Sequence, residues 1–425
     1  MPIRQPTPFV AIACGGTGGH LFPGLAVADQ LTARGCTVTL LVSPKEVDQL
    51  AVKGHGFESF TLPAVALQSG QRLAFVRGFW QSWRAARKFF STRRPQAALA
   101  MGGFTSAPPI LAARSFGART FLHESNTIPG RANRWLARFV DQAFVGFPGT
   151  ASRLRAREVC VTGTPVRPQF RLRRAAECCA ALGFAPGRPV VVVMGGSQGA
   201  RGINELITAA LPLFANRAPH WQWLHFAGTQ DADKLSRAYQ QHHMTAQVHQ
   251  FFAEMDLALG AASAVVSRAG ASSLAELAAV RVPALLVPFP HAADNHQLHN
   301  ARAFAEAGAA RLLEQPDASP ERVLTELVAL VEDPAVCGAM QTALAKWHTP
   351  QAAGQIAEAI LASVARSAAN PTSEATTKGG SCHPAPSSNL SGGRVRLFPR
   401  ERLWLGEAQL PMVFPSRARL FSRHR

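Results

Sequence analysis

Short apolar runs, glycine turns and amphipathic stretches follow one another in a repeating order along the chain. The apolar runs have the length of buried strands, about five residues, and lie at 9–14, 37–43, 97–101, 119–122, 190–194, 221–226, 248–252, 265–266 and 283–287. Stretches with apolar residues at helical spacing separate them, at 23–34, 73–90, 108–114, 131–139 and 175–182. This repetition of strand and helix predicts an α/β architecture with parallel sheets.

The repeating order begins twice. The strand at 9–14 enters the glycine loop 15–20 (GGTGGH), and the strand at 190–194 enters the loop 195–200 (GGSQGA). Proline and glycine become frequent between these halves, which favours a hinge there. We therefore expect two similar α/β domains, a further helix that can return to the first domain, and a tail. Their expected bounds are 1–165, 166–345, 346–365 and 366–425.

A ligand pocket is predicted where polar loops follow neighbouring strands, because ligands of open α/β sheets bind at the carboxyl ends of strands. The stretch 265–301 supplies two such loops. Ser272 and Ser273 can cap the helix that follows Gly270. Glu276 has two interpretations: it completes a capping box with Ser273, or its carboxylate accepts hydrogen bonds from a ribose diol.

The first glycine loop has the character of a phosphate-binding loop, because glycines expose backbone amides at a helix start. The dinucleotide fingerprint is not met: its third glycine would fall on Leu21, and no acidic residue ends the next strand. His20 stands at the lip of this loop. It is either structural or a candidate general base, since an imidazole titrates near neutral pH.

The predicted helix 73–90 interleaves aromatic and basic residues. That mixture suits a membrane interface. The alternative is a crossover helix that buries the stripe formed by Leu73, Val76, Trp80, Trp83 and Phe90 against the sheet, and we expect it to hold for part of that stripe. The residues assigned to the membrane are Leu73, Val76, Trp80, Trp83, Arg77, Arg84 and Lys88.

Charge and cysteine content narrow the class of protein. The net charge is +18, and residues 366–425 carry ten of the 44 basic residues against three of the 26 acidic ones. A basic chain favours polyanionic partners. The seven cysteines are scattered, which predicts reduced thiols rather than a disulfide framework or a zinc site. No apolar run reaches the roughly 18 residues of a membrane span, and no signal peptide is expected.

Six motifs, in this order, resemble those of the MurG family, the peptidoglycan N-acetylglucosaminyltransferases. They are GGTGGH at 15–20, MGGFTSAP at 101–108, HESN at 123–126, TGTPVR at 162–167, GGSQGA at 195–200, and SRAGASSLAE at 267–276 with PFPHAADNHQ at 288–297. Three features depart from the family pattern. Thr164 stands where the family often has Asn, Ser125 where Gln is common, and the tail beyond residue 365 has no counterpart.

The resemblance implies a GT-B fold, in which two Rossmann-like domains with parallel sheets face each other across a cleft. It implies an inverting transfer of GlcNAc from UDP-GlcNAc to the muramoyl sugar of lipid I, which forms lipid II on the cytoplasmic face of the inner membrane. Other cell-wall synthesis proteins are expected partners, and nucleic acid is not. Another GT-B enzyme acting on a membrane lipid and a non-enzymatic nucleotide-binding protein are the alternatives.

Residue roles follow from the same resemblance. Glu276 would hold the ribose, Gln297 the GlcNAc hydroxyls, and Ser197 with its loop the diphosphate. The full set implied to bind the donor is Thr17, Gly18, Gly19, Asn126, Arg167, Ser197, Phe252, Ala271, Ser272, Ser273, Leu274, Ala275, Glu276 and Gln297. The set implied to lie nearest the acceptor is Gly103, Phe104, Ser106, His123 and Glu124.

No metal cofactor is expected. The obvious D-x-D sequence, Asp231-Ala232-Asp233, falls in a predicted polar loop away from the glycine loops. Helix-terminal amides and Arg167 would instead stabilise the leaving diphosphate. The tail is expected to be disordered in its Ser-, Pro- and Gly-rich first part and dispensable for transfer.

Overall fold

The computed structural model describes residues 7–45, 48–49, 52, 54–63, 72–196, 199–369 and 394–396. These residues form two parallel sheets with helices on both faces. The strands are β1 Phe9–Ala13, β2 Thr37–Val42, β3 Glu58–Thr61, β4 Ala97–Ala100, β5 Arg119–Glu124, β6 Gln142–Val145, β7 Glu158–Val161, β8 Val190–Met194, β9 Gln222–Phe226, β10 Thr245–His249, β11 Ala264–Ser267, β12 Ala284–Leu286, β13 Arg311–Leu312 and β14 Arg394–Arg396.

The helices alternate with these strands. They are α1 Gly18–Ala33, α2 Arg72–Thr92, α3 Ala107–Ser115, α4 Arg131–Leu136, α5 Ala175–Ala181, α6 Arg201–Arg217, α7 Ala232–Gln241, α8 Met255–Ala261, α9 Ala271–Val280, α10 His296–Glu306, α11 Pro320–Glu332, α12 Pro334–Trp347 and α13 Ala352–Ala369. Short 3-10 turns lie at Ala137–Phe139, Pro148–Arg153, Ala293–Asn295 and Gln315–Asp317.

Both sheets have the strand order of a Rossmann fold. The first is ordered β14-β7-β6-β5-β4-β1-β2-β3 and the second β10-β9-β8-β11-β12-β13. The order reverses between β1 and β4 in the first sheet and between β8 and β11 in the second. Such switch points open a crevice at the carboxyl ends of the strands. The two glycine loops therefore lie at the two crevices.

The central strands are apolar throughout because helices cover both sheet faces. Along β1, Ala11 and Ala13 join one buried cluster while Val10 and Ile12 join another on the opposite face. Side chains that alternate across a strand explain this division. The run at 190–194 is likewise fully buried in the second domain.

The predicted strand at 248–252 is wrong in position, since β10 spans Thr245–His249. This strand lies at the edge of its sheet, and none of its residues is fully buried. It therefore lacks the continuous apolar signature of a central strand. Phe252 lies just beyond it, where its ring stacks on Phe226 at 5.1 Å.

The chain crosses between the two sheets at two points that touch. Gly163 has a φ of +80°, and a Cβ built on it would lie 2.1 Å from Oγ1 of Thr349. Glycine is therefore required at this crossing. After the second crossing, α13 packs on α1 of the first domain, and Arg34 of α1 pairs with Glu358 of α13 at 2.9 Å.

Helix α13 extends to Ala369, a few residues beyond the predicted end of the C-terminal helix. In the tail, β14 pairs in parallel with β7, at the edge of the first sheet. The predicted disorder and dispensability of the tail concern residues that lie largely outside the described part of the chain. No helix in that described part is long and apolar enough to span a bilayer.

Candidate active site in the cleft between two sheets

The crevices of the two sheets face each other and are in contact. The hydroxyl of Ser272, in the first turn of α9, donates to the carbonyl oxygen of Gly19 at 2.9 Å. Gly19 belongs to the first glycine loop, and α9 follows β11 of the second sheet. The cleft is thus lined on one side by loop 15–20 and on the other by the start of α9.

The first glycine loop is fixed from below by side chains of its own domain. Asp48 is fully buried, and its Oδ2 accepts from the Gly16 amide at 2.6 Å. Lys45 donates to the Gly16 carbonyl at 2.8 Å, and the hydroxyl of Thr105 donates to the carbonyl of Gly15 at 2.7 Å. Asp48 and Lys45 carry no signal in the sequence, because no local pattern links them to a loop some 30 residues away.

His20 lies in the first turn of α1, and its ring packs against the second glycine loop. Cβ atoms built on Gly102 and Gly103 would lie about 3 Å from its ring, and both glycines have positive φ. Its Nδ1 is 3.1 Å from Oγ1 of Thr17. Burial lowers the pKa of His20 to about 4, although the nearby Asp48 carboxylate opposes this shift. The ring is therefore neutral at pH 7 and able to accept a proton.

His123 and Glu124, assigned to the acceptor side, are buried. His123 Nε2 lies 3.1 Å from the carbonyl oxygen of Gly163, and burial lowers its pKa to about 4. Glu124 accepts from the amide and side chain of Asn126 and from the amide of Gly130. Both side chains are enclosed and already paired, so they hold the loop in position. Their place on the acceptor side stays a prediction.

Ser106, which was also assigned to the acceptor side, has a structural role. It is fully buried, and its hydroxyl lies within hydrogen-bond distance of the carbonyls of Ala13 and Gly102. It therefore joins the ends of β1 and β4. Gly103 and Phe104, from the same predicted set, are half-buried at the cleft.

The capping interpretation of Glu276 is wrong. Helix α9 begins at Ala271 with Gly270 as its N-cap, and no side chain caps it. Ser273 therefore lies inside the first turn, so it cannot form the predicted box with Glu276, which lies in the second turn. The Glu276 carboxylate is 3.6 Å from the Arg167 guanidinium, and 13% of its side chain is exposed. Burial raises its pKa to about 7, against the opposing effect of Arg167.

Arg167 is held at the crossing between the domains by two aromatic rings. Its guanidinium lies 4.0 Å from the ring centre of Phe22 and 4.9 Å from that of Phe170. This geometry is that of cation–π contacts. Its Nε is buried and has no hydrogen-bond partner among the described residues. A cation so placed can bind an anionic ligand in the cleft.

Gln297 shapes the loop before α9. Its side-chain oxygen accepts from the amides of Ala269 and Phe289, at 3.3 and 3.0 Å. Next to it, Arg268 is buried and donates to the carbonyls of Val287 and Pro288, at 2.9 and 3.0 Å. Burial lowers the Arg268 pKa to about 10, so this residue stays cationic at pH 7.

Asn126 is joined to the second domain. Its side-chain oxygen accepts from Nδ2 of Asn300 at 3.0 Å, and its Nδ2 donates to Glu124 at 3.0 Å. Asn300, on α10, was not identified from sequence, because it lies three residues beyond the HAADNHQ motif and its partner is 174 positions away.

The other residues assigned to the donor line the same cleft or support it. Thr17 and Gly19 are exposed, Gly18 is half-buried, and Phe252 is half-buried on its stacked partner. In the first turns of α9, Ala271 and Leu274 are buried, whereas Ser272, Ser273 and Ala275 are half-buried. Ser197 lies outside the described residues.

The D-x-D sequence does not lie in a polar loop as predicted. Asp231 precedes α7, and Asp233 lies in its first turn. Oδ2 of Asp231 accepts from Asn204 at 2.8 Å. Within the described residues, no group of three or more His, Cys, Asp and Glu side chains is placed to hold a metal ion.

The aromatic residues of α2 divide between solvent and core. Leu73, Val76 and Trp80 are 88%, 60% and 52% exposed. Trp83 is half-buried and Phe90 is fully buried, so the crossover-helix alternative holds for part of the stripe only. Arg77, Arg84 and Lys88 are exposed around it. Trp135 of α4, 42% exposed, extends this surface through an edge contact with Phe79; a lone tryptophan in a short helix gave no signal in the sequence.

Two Rossmann-like domains that meet at their switch points define the GT-B class of glycosyltransferases. Family models agree with this class: residues 10–145 match the glycosyltransferase family 28 N-terminal domain, and residues 190–356 match the family 28 C-terminal domain. The chain belongs to glycosyltransferase family 28, and within it to the family of the UDP-N-acetylglucosamine--N-acetylmuramyl-(pentapeptide) pyrophosphoryl-undecaprenol N-acetylglucosamine transferases. The resemblance found in the sequence motifs is confirmed.

Relatives from several bacteria support this assignment. A transferase of this name from Anaeromyxobacter dehalogenans is 34% identical over 377 residues, covering 87% of this chain and 96% of the relative. One from Xanthomonas campestris pv. campestris is 38% identical over 371 residues, covering 85% and 84%. The crystal structure of Acinetobacter baumannii MurG is 26% identical, covers 84% of this chain and 100% of that chain, and has a TM-score of 0.66.

Proposed function

We propose that the protein transfers GlcNAc from UDP-GlcNAc to the muramoyl sugar of lipid I and so forms lipid II in peptidoglycan synthesis. The names of its relatives describe this donor and this lipid-linked acceptor. A hydroxyl of the acceptor attacks the anomeric carbon of GlcNAc, the bond to the diphosphate breaks, and UDP leaves. The attacking hydroxyl loses its proton in the same step. Attack from the face opposite the leaving group inverts the anomeric configuration.

The proposed donor binding rests on the pair formed by Glu276 and Arg167. A carboxylate and a guanidinium lie 3.6 Å apart at the meeting point of both domains, and Arg167 Nε has no hydrogen-bond partner among the described residues. The carboxylate suits a ribose diol, which donates hydrogen bonds. The guanidinium suits the diphosphate, which accepts them.

The remaining donor roles are proposed from the positions of the residues in the cleft. The half-buried Phe252 offers an aromatic face to the uracil side, while the amides at the start of α9 bind the diphosphate. The role of Ser197 at the diphosphate is proposed from the sequence alone. Gln297, with its oxygen used within the protein, offers its side-chain N–H groups to the GlcNAc hydroxyls. As the sugar–phosphate bond breaks, Arg167 and the helix-terminal amides stabilise the charge that develops on UDP.

His20 is the proposed general base. It is neutral at pH 7, and it lies between the two glycine loops that form the acceptor side. A free-enzyme pKa of about 4 gives a weak driving force for proton transfer. Bound diphosphates place negative charge beside the ring and raise that pKa towards neutrality. Thr17 keeps the ring oriented through its contact with Nδ1.

We propose that the outer face of α2 and α4 binds the anionic cytoplasmic surface of the inner membrane, which places the cleft beside a lipid-linked acceptor. Leu73, Val76, Trp80 and Trp135 supply exposed apolar surface. Arginines and lysine around them supply positive charge, which is attracted to anionic lipid headgroups. Other cell-wall synthesis proteins would meet the enzyme at the same membrane.

The decisive experiment is transfer of labelled GlcNAc from UDP-GlcNAc to a lipid I analogue by the purified protein. We expect a product heavier by one N-acetylhexosamine, with a β linkage in the NMR spectrum. The Arg167→Ala variant should lose most of this activity. Hydrolysis of UDP-GlcNAc without a glycosylated product, or no turnover by an enzyme that binds the donor, would contradict the proposal.

A further inference from the structure

We infer that Asn300 is a positioning residue for the donor site, and that it makes UDP-GlcNAc affinity depend on Thr127 of the opposite domain. The inference rests on the proposed function, since it concerns the same donor. Asn300 has no exposed surface, and it lies on α10, which packs with the second sheet. Its partners come from both domains.

The side-chain oxygen of Asn300 is directed at the first domain. It accepts from the backbone amide of Thr127 at 2.9 Å and from the Thr127 hydroxyl at 2.9 Å. Two donors on one residue fill both lone pairs of the amide oxygen. This arrangement fixes which end of the amide is oxygen, because the opposite orientation would place N–H groups against N–H and O–H donors.

The side-chain nitrogen of Asn300 serves both domains. It donates to Oδ1 of Asn126 at 3.0 Å and to the carbonyl of Ala269 at 3.1 Å. All four hydrogen-bonding positions of the Asn300 amide are thus occupied. One buried side chain therefore connects loop 126–127 of the first domain with the loop that precedes α9.

Both ends of the Ala269 residue are held by one face of α10. Gln297 accepts from its amide and Asn300 donates to its carbonyl. Gln297 and Asn300 are one helical turn apart, so they present their amides to the same loop. Gln297, the proposed GlcNAc contact, therefore lies one turn from Asn300, which bonds to the other domain.

Asn126 has its two amide ends fixed, the oxygen by Asn300 and the nitrogen by Glu124. The second hydrogen on Nδ2 of Asn126 therefore has a fixed direction. Without Asn300, the Asn126 oxygen and the Thr127 amide lose their partners, and the two domains lose one of the contacts that join them. Donor affinity then falls, because less of the protein has the binding geometry.

The test is a double-mutant cycle on the dissociation constant of UDP-GlcNAc, measured by calorimetry without acceptor. Asn300→Ala should weaken binding about 10- to 100-fold, because four polar atoms of Thr127, Asn126 and Ala269 lose their partner. Thr127→Val, which removes one hydroxyl and keeps its shape, should weaken binding about threefold. The double variant should bind like Asn300→Ala alone, because Thr127 acts through Asn300.

The matched control is Gln222→Ala. Gln222 is a buried amide at the amino end of β9, and among the described residues its two ends bond Ala185, at 2.8 and 3.0 Å. It should lower the melting temperature and leave the dissociation constant unchanged. Effects of Asn300 and Thr127 that multiply, or an Asn300→Ala variant that binds like wild type, would overturn the inference.

If Asn300→Ala does not fold, Thr127→Val alone decides, since unchanged binding in that variant also overturns the inference. Failure of the proposed function looks different. In that case the wild-type protein binds UDP-GlcNAc without transferring its sugar, while the coupling between Asn300 and Thr127 remains measurable. Wild-type protein that does not bind UDP-GlcNAc would reject both.

Discussion

Each half of the molecule holds a cleft loop by clamping one residue at its amide and its carbonyl. In the first domain, Asp48 and Lys45 clamp Gly16 at 2.6 and 2.8 Å. In the second, Gln297 and Asn300 clamp Ala269 at 3.3 and 3.1 Å. The first clamp uses charged groups within one domain. The second uses neutral amides, and one of them also bonds to the other domain.

The difference separates two tasks. At Gly16, the loop that carries the proposed base is held by charged groups of its own domain, which make the stronger hydrogen bonds. The loop before α9, on the donor side, is complete only when both domains are in contact. We therefore expect substitutions at the first clamp to affect the chemical step and substitutions at the second to affect donor binding.

The largest expected effect is at His20. His20→Ala should reduce kcat by about 10²- to 10⁴-fold if the ring is the general base, with little change in the KM for UDP-GlcNAc. Steady-state kinetics with a lipid I analogue measures both. A near-normal kcat would show that His20 takes no part in the chemical step and only packs against the glycine loops.

Next is Asp48→Ala, which leaves the Gly16 amide and the Ser43 hydroxyl without their acceptor. The free energy of unfolding should fall by about 1–3 kcal/mol, and kcat should fall about tenfold because His20 follows a loosened loop. Asp333→Ala is the control, since Asp333 caps α12 far from the cleft and its loss costs about 1 kcal/mol. Equal kcat in both variants would show that the first clamp only stabilises the fold.

Glu276 predicts a pH effect confined to the donor. Its pKa of about 7 is above the ordinary value of 4.5, so lowering the pH through 7 protonates the carboxylate that accepts from the ribose diol. UDP-GlcNAc affinity should fall by up to about tenfold from pH 7.5 to 6. Glu276→Gln should bind weakly at both pH values with no such slope. An equal slope in the Gln variant would assign the titration to another group.

A change on the outer face of the first domain should affect only vesicle binding. Replacing Leu73 and Trp80 by Ser should reduce co-sedimentation with anionic vesicles about tenfold or more, given about 1.5–3 kcal/mol for each large apolar side chain buried. Leu172→Ser is the control, because Leu172 is 57% exposed elsewhere. Melting temperatures should be unchanged in all three proteins. Equal losses in the control and the double variant would refute a specific membrane face.

The smallest effect is expected where the domains meet through exposed charges. Asp294 pairs with Arg131 and Arg134 at 3.2 and 2.8 Å, but ion pairs open to solvent contribute about 1 kcal/mol or less. Asp294→Asn should raise the KM for UDP-GlcNAc by about threefold at most, and added salt should remove the difference. An effect larger than that of Asn300→Ala would show that the Asp294 ion pairs, and not the buried Asn300 amide, are the main contact between the domains.

Local signals account for what could be predicted. Buried runs such as 190–194 and the glycine loops that follow them predicted most strands and two α/β halves with parallel sheets, and the motif resemblance implied the GT-B architecture. Contacts between distant positions account for what could not. Asp48 and Asn300 are recognisable only once the chain is folded, and Ser273 has the local pattern of a cap that the earlier helix start at Ala271 removes. The sequence could not show where the stripe on α2 passes from solvent to core, because aromatic residues suit both a core and a membrane.

Hydrogen exchange measured by mass spectrometry, on wild type and Asn300→Ala without substrate, tests the contrast between the two clamps most directly. Exchange rates follow local opening. We predict faster exchange in Asn300→Ala at residues 126–127 and 267–271, with unchanged exchange at 15–17. Faster exchange in both loops, or in neither, would contradict the account, because the first clamp would then depend on the other domain or the second would not.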